Sequence, residues 1–260
     1  MLCSRHFFKP KDILKLPKTA VSAQSLIIGG FVPFTTIDYP GELAAVVFTQ
    51  GCPFRCPFCY NRHLHESGGG GTVPWDEVSA TLEQRKNILD GVVFSGGEPL
   101  VQYAALSAAM REAKELGFKI GLHTSGADPK ALAKVLPLTD WVGFDIKAPP
   151  EKYDAVTQTA GAGALFARSF EMLMKSGKSY EMRTTCDPRL LTPDDILSIA
   201  GFLHARQVRA YALQEMQTEP LSWLTAKERA AIEAQKSVFF ADGFLARVRA
   251  LIPDLIIRKK

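Results

Sequence analysis

No run of apolar residues in this sequence reaches the roughly 20 needed to cross a membrane. The basic stretch from Met1 to Lys18 carries Phe7 and Phe8 but has no long apolar core, so it reads not as a signal peptide but as a poorly ordered extension, assigned to 1–26, or a surface helix. Cysteine is scarce. There are five in 260 residues, and three of them lie in one short loop, which excludes a disulfide scaffold and implies a reducing, cytoplasmic setting. Charge of one sign is also lacking. Against 27 acidic residues stand 31 basic ones, and a net +4 is too weak to argue for nucleic acid, though it suits docking of an acidic protein. The four glycines 68–71 are followed by neither Lys-Ser nor Lys-Thr, which removes the phosphate-cradle reading.

What is present is the composition of an ordinary globular protein, 47% apolar and 22% charged. Strand-like runs alternate with helix-like ones. Strands are expected at 44–49, 91–95, 118–123, 141–146, 179–185 and 208–214. Helices are expected at 75–89, 103–116, 129–135, 164–176 and 193–206. Such alternation predicts a parallel sheet. Six units are too few for a closed eight-fold barrel, so the expectation is a partial, open (β/α)6 TIM-like barrel. It divides into the extension, a core over 27–217 and a helical C-terminal segment over 218–260. The expected strand ends carry Cys52, Glu98, His123, Ser125, Asp145, Lys147, Arg183 and Gln214, and the C-terminal ends of parallel strands converge on one face.

Two motifs carry the chemistry. Cys52, Cys56 and Cys59 form a C-x3-C-x2-C loop. Soft thiolates at this spacing point to an iron–sulfur cluster or to zinc. Three thiolates leave one iron open for a ligand, whereas zinc would need a fourth donor, for which His63 and His65 compete. Downstream, Val92-Val93-Phe94-Ser95 reads as a buried strand running into Gly96-Gly97-Glu98-Pro99. Adjacent glycines at a strand end let backbone groups approach a ligand closely. The plainer reading is a strand-to-helix turn, with Glu98 as an N-terminal acid.

Together, and in this order, the two motifs resemble those of the radical S-adenosylmethionine (radical SAM) superfamily. Gly29-Gly30-Phe31 through Asp38-Tyr39-Pro40-Gly41, Phe144-Asp145-Ile146-Lys147, Tyr180 to Thr185 and Tyr211 to Gln214 narrow the resemblance to the activating enzymes of glycyl radical enzymes, in particular those of anaerobic ribonucleoside-triphosphate reductases. It implies one [4Fe–4S] cluster on Cys52, Cys56 and Cys59. It also implies SAM held by Gly96, Gly97 and Glu98 and by Ser125, Asp145, Lys147 and Arg183, with Phe58 and the backbone of Tyr60 against the adenine. Tyr60 departs from the His usual in these activases. The implied reaction is reductive cleavage of SAM to a 5′-deoxyadenosyl radical, which takes hydrogen from a glycine of a partner enzyme, an anaerobic ribonucleotide reductase. A flavodoxin- or ferredoxin-like protein would supply the electron. The alternatives are a radical SAM enzyme acting on a small molecule or peptide, and a metal-binding structural or sensor module without turnover.

Overall fold

A computed structural model describes residues 21–68 and 71–259. Eight strands form one open sheet in sequence order: β1 (Ile28–Thr35), β2 (Ala44–Thr49), β3 (Gly91–Gly96), β4 (Lys119–Thr124), β5 (Trp141–Asp145), β6 (Ser179–Cys186), β7 (Tyr211–Glu215) and β8 (Ile256–Arg258). From β2 to β8 every neighbour is parallel, and β1 runs antiparallel to β2. The two outer strands do not pair with each other, so the barrel is partial and open along one side. The connecting helices are α1 (Trp75–Arg85), α2 (Tyr103–Glu115), α3 (Pro129–Val135), α4 (Tyr153–Thr157), α5 (Ala162–Lys175) and α6 (Pro193–His204), followed by α7 (Ala226–Gln235) and α8 (Asp242–Leu251). No helix among the described residues is long and apolar enough to cross a membrane.

Local chemistry explains where the elements start. Asp128 caps α3, accepting from the Lys130 and Ala131 amides. Thr192 and Asp195 form a capping box at α6, with Pro193 in its first turn. Alternation along the strands then sorts side chains into two cores. Ala45, Val47, Val92 and Phe94 join the large core that holds the helices' apolar faces, while Ala44, Val46 and Val93 share a small cluster with Tyr39 and Trp141. Tyr39 stacks on Trp141 with ring centroids 5.3 Å apart. A Cβ on Gly91 or on Gly121 would stand 3.2 Å from the Tyr39 ring, so glycines at both positions leave room for it.

Three expectations change. The all-helical reading of 218–260 fails at its end, because β8 pairs with β7 and adds a parallel strand. Ile256-Ile257-Arg258 is too short to show a strand period by itself. β1 is likewise an addition to the six units, since Gly29, Gly30 and Pro33 interrupt its pattern. Of the expected extension 1–26, residues 1–20 lie outside the described residues. Ala23 and Leu26 belong to the main core, with Ala23 to Ser25 in a short 3-10 turn.

Candidate active site

The strand ends surround a cavity of about 280 Å³. Its walls include all three clustered cysteines, Phe58 and Tyr60, the Gly96-Gly97 edge, Ser125, and the Asp145, Lys147 and Arg183 side chains. His123 and Gln214 also reach it. A larger groove between α3 and α5, about 860 Å³ and lined by Leu136, Pro137 and Met172, has no thiol or convergent acid.

The cysteine loop is held by its backbone. Gly51 and Cys52 amides donate to the Leu64 and His65 carbonyls at 2.7 and 3.0 Å, closing the loop's base. The Arg55 amide donates to the Thr157 carbonyl at 2.9 Å, and the Thr159 hydroxyl to the Pro53 carbonyl at 3.2 Å, docking the loop on the end of α4. Cys56 is buried and the other two thiols are half-buried. Burial, with Glu98 adding to it, pushes the Cys52 thiol up to about 12, and burial raises Cys56 too. Metal ligation requires the thiolate, so a bound cation would have to reverse that shift. No three His, Cys, Asp or Glu side chains among the described residues stand close enough to hold a single metal ion.

Gly96-Gly97 runs directly beneath this loop. The Gly97 amide donates to the Thr49 carbonyl at 2.9 Å and the Glu98 amide to the Gly51 carbonyl at 2.8 Å. A Cβ on Gly97 would lie 2.4 Å from the Gly51 carbonyl oxygen and 2.9 Å from that of Leu64. Glycine is required here first because the strand end passes under the root of the cysteine loop.

Glu98 is the expected cavity residue that does not line the cavity. It is 1% exposed and sits behind the wall. Its carboxylate accepts from the Leu100 amide, the Thr124 hydroxyl, and both the amide and hydroxyl of Ser125. Burial raises its pKa, and these four donors oppose the rise. The plain reading as the acid at a helical turn therefore holds. The bonds to Ser125 and Thr124 give Glu98 a second role, since through them it ties the end of β3 to that of β4.

Across the cavity, Asp145 accepts from Lys147 at 2.8 Å and from Arg183 Nε at 3.2 Å. Burial would raise the Asp145 carboxyl, but the two cations outweigh it and bring it down to about 2. Burial alone would lower Lys147; Asp145 and Cys56 hold it above its ordinary value instead. The Arg183 guanidinium fills space left by Gly143, where a Cβ would lie 2.3 Å from Nη2, and lies 5.9 Å from the Trp141 ring. Glu181, on the same face of β6, pairs with Arg258 of β8 and not with Arg183. His123 Nε2 donates to the Asp38 carbonyl at 2.8 Å, which makes its 3.2 Å contact with Arg183 Nη1 one between two donors. Burial first, then Arg183, lowers His123 to about 3, so the ring is neutral.

His63 and His65 are the candidate fourth donors for a zinc site. His63 is exposed, but His65 lines the cavity. Asp38 lines it as well, because the turn after β1 enters the barrel from below. Its Asp-Tyr-Pro-Gly run is visible in the sequence, but only the stacking of Tyr39 inside the sheet shows where it goes. Cys186 is fully buried and does not line the cavity. Cys3 lies outside the described residues.

Comparison with known proteins agrees with this architecture. The family model described as the radical SAM superfamily matches residues 46–186. A putative glycyl-radical enzyme activating enzyme of Methanocaldococcus jannaschii is 30% identical over 198 residues, 74% of this chain and 80% of that protein. The pyruvate formate-lyase-activating enzyme of Clostridium pasteurianum is 36% identical over 115 residues, 43% of this chain, and the match spans 48% of that protein. Streptococcus suis SuiB bound to S-adenosylmethionine shares the fold, with a TM-score of 0.57 at 13% identity over 80% of this chain and 48% of SuiB. The chain belongs to the radical SAM superfamily, whose members use a [4Fe–4S] cluster and SAM, and it is homologous to the activating enzymes of glycyl radical enzymes.

Proposed function

We propose that the chain activates a separate glycyl radical enzyme, an anaerobic ribonucleoside-triphosphate reductase, by taking a hydrogen atom from one of its glycines. The observation that carries the reading is the cavity, where three thiols, a glycine strand edge and a cationic rim face one another. Cys52, Cys56 and Cys59 would hold the [4Fe–4S] cluster. A [4Fe–4S] cluster on three thiolates leaves one iron open for SAM, and the C-x3-C-x2-C loop supplies three thiolates. The backbone edge of Gly96-Gly97 would take the SAM amino group, while Lys147 and Arg183 offer cationic donors to its carboxylate or ribose. Phe58 and the Tyr60 backbone would pack on the adenine, Ser125 would meet the ribose, and Glu98 would act from behind by fixing Ser125. Asp145 would keep the two cations in place. When bound, the cluster and SAM supply the reductive cleavage and the 5′-deoxyadenosyl radical; the protein supplies orientation and exclusion of water.

The acceptor reading is supported by the barrel, which is open along one side. A loop of another protein, reaching in from the open mouth, suits such a site. The choice of reductase rests on the resemblance of the Gly29–Gly41 stretch and the Asp145, Lys147 and Arg183 strand ends. The test is anaerobic incubation of reconstituted, reduced protein with SAM and the reductase, followed by electron paramagnetic resonance. A glycyl doublet that vanishes when the acceptor glycine becomes alanine is the expected result. Cleavage of SAM with no radical on the reductase, but with a radical on another glycyl radical enzyme, overturns the choice of partner. A modified small molecule or peptide overturns the activase reading itself.

A further inference from the structure

Reductive cleavage consumes one electron that the chain itself cannot supply, so the proposed function requires a donor protein and a place for it to dock. The inner side of the cysteine loop, with Phe58 and the thiols, faces the cavity, where SAM and the acceptor must sit. Arg55, Arg62 and His63 of the same segment are exposed and do not line that cavity. Arg55 keeps 43% of its side chain open, while its Nη1 donates to the Cys52 carbonyl at 2.6 Å and to the Phe54 carbonyl at 3.0 Å. One hydrogen bond therefore separates an exposed cation from a cysteine of the cluster loop. Arg62 donates to the Pro57 carbonyl at 2.9 Å and lies 4.0 Å above the Trp223 ring. His63 is exposed beside it. Both arginines, after burial, lower the pKa of His65, so their fields meet under the same patch. On its rim Glu66, 80% exposed, pairs with Arg55 at 3.3 Å.

We infer that the outer face of the cysteine loop, built by Arg55, Arg62 and His63, is the docking surface for an acidic, low-potential one-electron carrier protein. The inference rests on the proposed function, because only a reductive reaction needs such a partner. In the transfer the carrier is oxidised by one electron and the enzyme reduced by one, with no bond made or broken between the two proteins. Complementary charge on this face would speed encounter and set its salt dependence.

The test uses the iron-loaded protein and an oxidised flavodoxin of strongly negative net charge as the probe, with binding measured by calorimetry. Arg55 and Arg62 hold loop carbonyls, so the variants are His63→Glu and Glu66→Lys, whose side chains do not. His63→Glu is expected to weaken binding by about 3–10-fold and Glu66→Lys to strengthen it by a similar factor, both differences collapsing in about 1 M salt, where the screening length is about 3 Å. Equal affinity in wild type and both variants, or shifts in the same direction, overturns the docking face. So does failure of the wild type to bind the carrier at low salt. SAM affinity and iron content are measured alongside. If the wild type binds neither iron nor SAM, the proposed function fails; if it binds both but shows no charge-dependent carrier binding, the docking face alone fails.

Discussion

The cysteine loop and the rim formed by β4, β5 and β6 face each other across one cavity, yet they are held in opposite ways. Backbone bonds from Gly51, Cys52 and Arg55 fix the loop, and Lys147 of the rim lies near enough to act on the Cys56 thiol. On the rim the functional side chains restrain one another, with Asp145 between Lys147 and Arg183 and a neutral His123 above. If the cysteine wall takes up the cluster, as proposed, its order comes from the main chain, which leaves the thiols available as ligands. On the wall proposed to grip SAM the charges preorganise one another, because an arriving carboxylate would only have to compete with Asp145 for donors already in position.

The largest effect is expected where the loop's free ligands are removed. Cys52→Ala, Cys56→Ala and Cys59→Ala should each reduce iron far below the four atoms per chain of a full cluster after anaerobic reconstitution, and abolish SAM cleavage. Cys186→Ala should do neither, since that thiol is buried away from the cavity. Iron analysis checks this; full zinc occupancy with no iron uptake would break the comparison at its root.

The next test breaks the backbone order of the same wall. Gly97→Ala places a Cβ 2.4 Å from the Gly51 carbonyl oxygen, and Gly97→Val adds branches beyond it. Either change must displace the root of the loop, so iron retention is expected to fall together with SAM binding. Loss of SAM binding with full iron would show that glycine serves only the ligand. On the opposite wall the effects should be smaller. Arg183→Ala and Lys147→Ala are expected to weaken SAM binding by about 1–3 kcal/mol each, roughly 5–150-fold, with iron unchanged. Gly143→Ala, by pushing Arg183 from its niche, should reproduce part of the Arg183 loss. Titration of SAM into the reconstituted variants measures both.

Much of this comparison is legible in the sequence, and its limits are physical. All six expected parallel strands are present, and α3 falls on its expected bounds, because strand and helix periods and caps are local signals. The cysteines, Gly96-Gly97 and the Asp145, Lys147 and Arg183 ends reach one cavity, because parallel strands bring their C-terminal ends to one face. What stays hidden depends on contacts between distant segments. Glu98 looks like a ligand from its motif, but Thr124 and Ser125 claim its carboxylate. Glu181 lies two residues from Arg183 on the same face, but its partner, Arg258, comes from a strand too short to read. Gly143 carries no local signal at all; only the guanidinium packed against it explains the residue.

The smallest expected effect concerns the protonation state of the rim. In the folded protein His123 is neutral down to about pH 3, while an unfolded histidine titrates near 6.5. Between those values the unfolded chain binds a proton that the folded chain refuses, so His123 lowers stability as pH falls from 6.5 towards 3 and is without effect above that window. Asp145, held at about 2, acts in the same direction lower down, its contribution being present above about 3.8 and lost as pH falls towards 2. His123→Asn keeps a donor for the Asp38 carbonyl and removes the titration. Urea unfolding of the iron-free protein between pH 7 and 4.5 should therefore show a shallower loss of stability in the variant than in the wild type, with the two slopes equal above pH 7. Parallel slopes throughout would mean that His123 accepts its proton in the folded state, and that burial and the neighbouring Arg183 charge do not keep the ring neutral.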